Sequence, residues 1–171
     1  MIIRTSRGRW LVRRASGRVK SGRADRCEPA PAAGHLRTAT AWLIRRFIDP
    51  GATFLFVEAE QVSEVQRREG ATGFDAPGAT YPHIDDMGRC SFEALVDEYR
   101  SGDAALRALA QIVRGADFAD QIGLTPESAG LRAISHGFPL VARDDHETVE
   151  KASFLYDALY ASLTEQKGDG P

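Results

Sequence analysis

His83 and Cys90 flank an acidic turn, Ile84-Asp85-Asp86-Met87-Gly88-Arg89, between an expected strand and an expected helix. Imidazole, thiolate and carboxylate together suit a borderline metal such as zinc or iron. Cys90 precedes a helix that Ser91 can cap, and the positive end of that helix would depress the thiol pKa and raise its reactivity. One His and one Cys with six residues between them are not a defined ligand spacing. A small buried cysteine beside a loop histidine is the plain alternative.

The densest polar cluster is Asp144-Asp145-His146-Glu147. Asp145 and His146 can ligate a metal, or Asp145 can orient His146 as a general base. Asp144 with Glu147 three residues on is also an acidic capping box at a helix start. Arg114-Gly115-Ala116-Asp117 offers an anion site or a salt-bridged corner, against an arginine simply favoured at a helix C-terminus. His136, before Gly137, reads as a helix C-terminal residue. Walker A, GxGxxG, HExxH, GxSxG and CxxC patterns are all missing. Phosphate-loop NTPases, dinucleotide enzymes and the common hydrolases lose their support.

The elements that must position these groups follow from periodicity. Arg37 to Ile48 places Ala39, Trp42, Leu43 and Phe47 on one helical face, with Asp49-Pro50-Gly51 as the stop. Residues 54–57 read as a buried strand, 60–69 as a short polar helix ended by Gly70, and 71–74 as a second strand. Ser91 is expected to cap a helix with Phe92, Leu95, Val96 and Tyr99 inward. Asp103 is expected to cap the next, with Leu106, Leu109 and Val113 inward. Thr125-Pro126 opens a helix carrying Leu131 and Ile134 and stopping at Gly137. The last helix starts near Asp144 and carries Val149, Ala152, Tyr156, Leu159 and Leu163. The expected fold is α+β, a predominantly helical single domain with a small β-sheet near its N-terminal third.

The chain has 171 residues, 43% of them apolar, which fits one globular domain or one domain plus a tail. No apolar run approaches the roughly 20 residues of a membrane span, and two cysteines cannot make a disulfide framework. The charge is uneven. Residues 1–34 hold eight arginines and Lys20 against Asp25 and Glu28, a net +7, and the remainder carries −9. Residues 1–34 thus read as a basic, flexible arm, with a short strand within Arg9 to Arg14 and loop over 16–34. Residues 35–165 read as the domain and 166–171 as a disordered tail. The arm can contact a nucleic-acid backbone, but no aromatic interleaving or reader motif accompanies its charge. No secretory signal follows the basic start, so the expected compartment is the cytoplasm.

Several segments together resemble the chromate-resistance (ChrB-type) C-terminal domain. They are Arg37 to Asp49, Phe74 to Gly78, His83 with Cys90 to Glu93, Ile112 to Asp117, Ala129 to Leu131 with Ala133 to Ser135, Asp144 to Glu147, and Tyr156 to Tyr160. The resemblance runs in order over about residues 35–165. Two departures stand out: Leu36 occupies the place of a family Asp before Arg37, so if that Asp is a ligand or base this member is impaired or His35 substitutes for it, and the His83-to-Cys90 loop is about two residues longer. Longer family members join a winged-helix-like DNA-binding half to this domain and resemble regulators of a chromate efflux operon; the arm is too short for such a half.

The resemblance implies one pocket built from these motifs. Cys90, Asp117 and His146 are its expected catalytic groups. Arg37, Arg114 and Glu147 are its binding groups, and His83, Asp145 and His146 its metal ligands. Two functions follow. One is a sensing or accessory module for chromate or another small oxyanion, since arginine forks and helix N-termini bind tetrahedral oxyanions. The alternative is a metal-dependent hydrolase or redox enzyme holding zinc, iron or manganese. Neither reading involves a membrane, and both leave a homodimer open.

Overall fold

The computed structural model describes residues 2–4 and 35–168. The strand expected within 9–14, the loop over 16–34, Cys27 and the end of the expected tail lie outside the described residues.

Helix α1 (His35–Leu43) forms where the apolar spacing places it, with Leu36, Ala39, Trp42 and Leu43 buried. It runs on into a single π-helical turn, Ile44–Ile48, closed by a 2.7 Å bond from Asp49 N to Ile44 O. The Asp49 carboxylate then accepts from Gly51 N at 2.9 Å, fixing the turn that the Pro-Gly pair announces. Strand β2 (Thr53–Leu55) follows, then α2 (Ala59–Glu69), which buries only Val62 and Val65. Gly70 ends α2 at φ 60°, a conformation that suits glycine. Strand β3 is Thr72–Gly73.

Strand β1 (Ile2–Arg4) lies between β2 and β3 and is antiparallel to both. Ile2 pairs with Leu55 on one side and Gly73 on the other and is fully buried. The small sheet therefore takes its central strand from the segment that charge alone marks as an arm.

Four helices complete the chain: α3 (Ser91–Arg100), α4 (Ala104–Asp117), α5 (Ser128–Val141) and α6 (Asp145–Gly168). Helix α1 packs against α3, α4 and α6, and α4 also packs on α5 and α6. Trp42 sits at the centre, its ring 5.4 Å from Phe47 and 5.8 Å from Tyr156. Its indole N–H donates to Asp157 Oδ1 at 2.9 Å, so the polar end of a buried aromatic is satisfied. The helix-dominated α+β architecture is as expected, and no helix among the described residues is long and apolar enough to cross a membrane.

Local readings differ at four places. The N-cap of α3 is Cys90, one residue before the expected Ser91. Helix α5 starts at Ser128, because Thr125 closes a turn onto Ser128 N instead of capping from its own position. It also runs through Gly137 to Val141, since burial of Leu131, Ser135 and Phe138 on one face outweighs a propensity cost of about 1 kcal/mol. His136 is consequently an interior helix residue, and Ile134 faces outward at 49% exposure. Helix α6 extends to Gly168, into the expected tail.

Candidate functional site

Four segments distant in sequence meet beside the first turn of α1. Asp75 lies in the turn after β3, His83 in the following loop, Asp117 at the last residue of α4, and Arg37 in α1. The Asp75 carboxylate takes both basic side chains. Its Oδ1 accepts from His83 Nδ1 at 2.6 Å, and its Oδ2 accepts from Arg37 Nε at 3.1 Å. His83 Nε2 lies 3.4 Å from Asp117 Oδ2, an ion-pair contact longer than a normal hydrogen bond. The side chains of Asp75 and Asp117 are 10% and 12% exposed, whereas His83 is 50% exposed.

Asp75 holds φ 54°, and among the described residues it is the only non-glycine residue at positive φ. Aspartate tolerates the left-handed region better than most residues. The conformation is pinned by a 2.9 Å bond from Asp75 N to Tyr81 O and by Phe74 and Tyr81 stacked at 5.2 Å. Beneath the cluster, Thr38 and Tyr156 share a buried hydrogen bond of 2.8 Å. Burial pushes the Tyr156 hydroxyl above the usual phenol range, and the nearby Asp117 charge adds to this. The His83 pKa is raised above 6.5, chiefly by the hydrogen bond to Asp75. Partial burial opposes that shift, the charges of Asp75 and Asp117 reinforce it, and Arg37 works against it.

Arg37 keeps donors free of the described residues, and His83 Nε2 is held only by the longer contact to Asp117. Arg37 bonds Asp75 through Nε alone, so its two terminal nitrogens have no partner among the described residues. His83 Nε2 has an ion pair but no hydrogen bond. The arrangement is thus a guanidinium and an imidazole, oriented by one carboxylate, with the Arg37 terminal nitrogens and the half-exposed His83 ring beside each other. Oriented N–H donors of this kind bind oxyanions.

The other expected site residues stand elsewhere. Cys90 is fully buried, its backbone N–H donating to Glu93 Oε2 at 2.9 Å. Burial pushes its thiol up to about 12, so the expectation of an acidified, reactive thiolate is corrected: desolvation outweighs the helix terminus. Arg114 is tied into the same corner. It donates through Nη1 to Glu93 Oε2 at 2.6 Å and Gly88 O at 2.8 Å and through Nε to Gln121 Oε1 at 2.7 Å, which ties the guanidinium to that corner and not to the Asp75 carboxylate. Its guanidinium covers Phe118, the ring on which His83 packs at 5.1 Å. The acidic turn is a structural knot, with Asp85 accepting from Met87 N, Arg89 N and the Arg89 side chain at 2.8–2.9 Å.

Asp145, His146 and Glu147 belong to the start of α6. Asp144 Oδ1 accepts from Glu147 N at 2.9 Å, and Glu147 accepts from Arg143 N at 2.7 Å. The latter bond, with the Arg143 and Lys151 side chains, holds the Glu147 carboxyl down at about 2. His146 is exposed and meets Phe56 edge-on at 5.0 Å. Tyr156, which touches the cluster, lies ten residues further along α6, about 15 Å away on the helix axis. His83, Asp145 and His146 are therefore not one ligand set. Among the described residues no three His, Cys, Asp or Glu side chains form a group that would hold a metal ion.

The residue that sequence reasoning left out of the site is Asp75. The Asp-Ala-Pro-Gly turn was the available signal: an acid just before a tight turn, between a strand and the histidine loop. Leu36 is 1% exposed and packed in the core, so the position of the absent family aspartate is occupied here by a core side chain.

Residues 35–163, which contain the whole cluster, match the family described as ChrB, C-terminal domain. Protein ChrB of Cupriavidus metallidurans is 37% identical over 131 residues, covering 75% of this chain and 37% of that protein. The chain thus spans little more than a third of the curated relative it matches. No solved structure matches it. With helices α1 to α5 and nearly all of α6 inside the matched region, the chain belongs to the ChrB C-terminal domain family, associated with chromate resistance.

Proposed function

We propose that this chain is a chromate-resistance-associated module that recognises chromate, or a closely related small oxyanion, at the Arg37 and His83 donors. The observation that carries the reading is the double use of Asp75. One carboxylate orients a guanidinium and an imidazole together while leaving the Arg37 terminal nitrogens to an incoming acceptor, with His83 Nε2 beside them in a 3.4 Å contact to Asp117 that a ligand oxygen can replace. Charge-assisted N–H bonds to an oxyanion are about twice as strong as neutral ones. The half-exposed ring of His83 gives access without rearrangement of the core. Family membership supplies chromate as the anion to test first.

Isothermal titration of the protein with chromate tests the reading. Arg37→Gln and His83→Gln each replace a basic donor by a neutral amide of similar bulk, and each should weaken binding by about tenfold, the equivalent of one lost charge-assisted hydrogen bond. No heat with chromate, or the same affinity in both variants as in the parent, refutes the assignment.

A further inference from the structure

We infer that the outward face of α5 is an interface between two copies of this chain, which pack their α5 helices antiparallel across a two-fold axis. Helix α5 packs on α4 and buries Leu131, Ser135 and Phe138. Its other side is apolar as well. Ala129, Gly130, Ala133, Ile134, Leu140 and Val141 are all exposed, Leu140 at 85% and Val141 at 65%. From Ser128 to Val141 the ionisable residues are Arg132 and His136, and there is no acid. A helix that is apolar all round calls for cover on both sides, and packing within the chain covers one.

The apolar surface continues onto α6. Lys151 closes its ammonium on Val141 O at 2.6 Å and on Glu147 Oε1 at 3.2 Å. Phe154 lies three residues further along α6, on the same helical face as Lys151, and is 81% exposed. The outward half of α5, a helix of 14 residues and thus about 21 Å long, offers about 350 Å². Phe154 adds about 150 Å². Two such faces bury about 1,000 Å² in all, the area at which a specific contact between proteins begins to hold.

The shape of the face selects a second copy as its occupant. The N-terminal half is slender, with Ala129, Gly130 and Ala133, and a Cβ placed on Gly130 would meet nothing within 4 Å. The C-terminal half is bulky, with Leu140 and Val141 beside Phe154. Antiparallel pairing lays the bulky half of each copy on the slender half of the other. A two-fold axis repeats that fit, so one surface supplies both sides of a closed contact.

Sedimentation velocity of the full chain at pH 8, where imidazole is neutral, tests the assignment. Across a range from about 1 to about 500 µM the parent should dimerise with Kd on the order of 10 µM, the weak end for an interface of this size. Leu140→Glu and Phe154→Glu alter side chains that stand in solvent in the single copy, so folding is not at stake, and each should raise Kd at least about tenfold. Gly130→Leu has open space in the single copy and a better helix former in place of glycine, yet it fills the slot for the partner. It should raise Kd at least about tenfold as well, with native circular dichroism. A parent that stays monomeric throughout overturns the inference; if it then binds phosphatidylcholine vesicles, the face belongs to a lipid surface. A dimer that all three substitutions leave unchanged overturns it too. A dimer broken by Leu140→Glu but indifferent to Gly130→Leu overturns the antiparallel packing.

Discussion

Asp75→Asn isolates the carboxylate on which the cluster depends. Asparagine keeps the shape and tolerates φ 54°, so the backbone is not the variable. What is lost is the charge on the 2.6 Å bond from His83 and the 3.1 Å bond from Arg37. A buried charge-assisted bond contributes about 1.5–3 kcal/mol. Half exposure of His83 reduces its share by solvent screening, leaving about 1 kcal/mol for each contact and about 2 kcal/mol in total. The two shares separate with pH. The native His83 pKa lies above the unfolded value of 6.5. Its pairing therefore contributes fully below about 6.5 and is lost as pH rises through the native value. Urea denaturation should show Asp75→Asn costing about 2 kcal/mol near pH 5.5 and about 1 kcal/mol near pH 9, where only the Arg37 contact remains at stake. In an NMR titration the His83 ring should move its midpoint down toward 6.5 in the variant. An identical cost at both pH values, with an unmoved His83 midpoint, would refute the coupling.

Other expectations follow from the same contacts. In a Cys27→Ser background, Cys90 should resist iodoacetamide at mildly alkaline pH until the protein is unfolded, since its thiol is held near 12; rapid native labelling would contradict its burial. Arg114→Leu strands the Glu93 carboxylate, 13% exposed, and should cost about 2–3 kcal/mol, or roughly 5–10 °C in Tm. Because Arg114 bonds Glu93, Gly88 and Gln121 and not the Asp75 carboxylate, the chromate affinity of the folded variant should be unchanged. Tyr156→Phe removes the buried bond to Thr38 and should cost about 1 kcal/mol in the same melts.

Where structure is decided by a few neighbouring residues, the sequence was readable. Asp103 caps α4 by accepting from Leu106 N at 2.9 Å, and Gly70 ends α2, both from short-range chemistry alone. Arg37, His83 and Asp117 were readable as polar residues at segment ends. That they meet, and that Arg114 does not join them, depends on which helix packs on which. Asp75 was hidden for the same reason, because its role exists only once the turn after β3 is folded against α1. His146 misled in the opposite direction. Its acidic neighbourhood is dense because α6 needs caps and negative charge in its first turn, so local density there carries no information about a ligand.

The placement of β1 governs how this domain is assembled. Both hydrogen-bonding edges of residues 2–4 must wait for segments about 50 to 70 residues later. The sheet is therefore a late, long-range closure, while α3 and α4 can pair through near neighbours. A substitution that disturbs Ile2 should leave β2 and β3 with bare facing edges, turning a small local change into exposed strand surface prone to self-association.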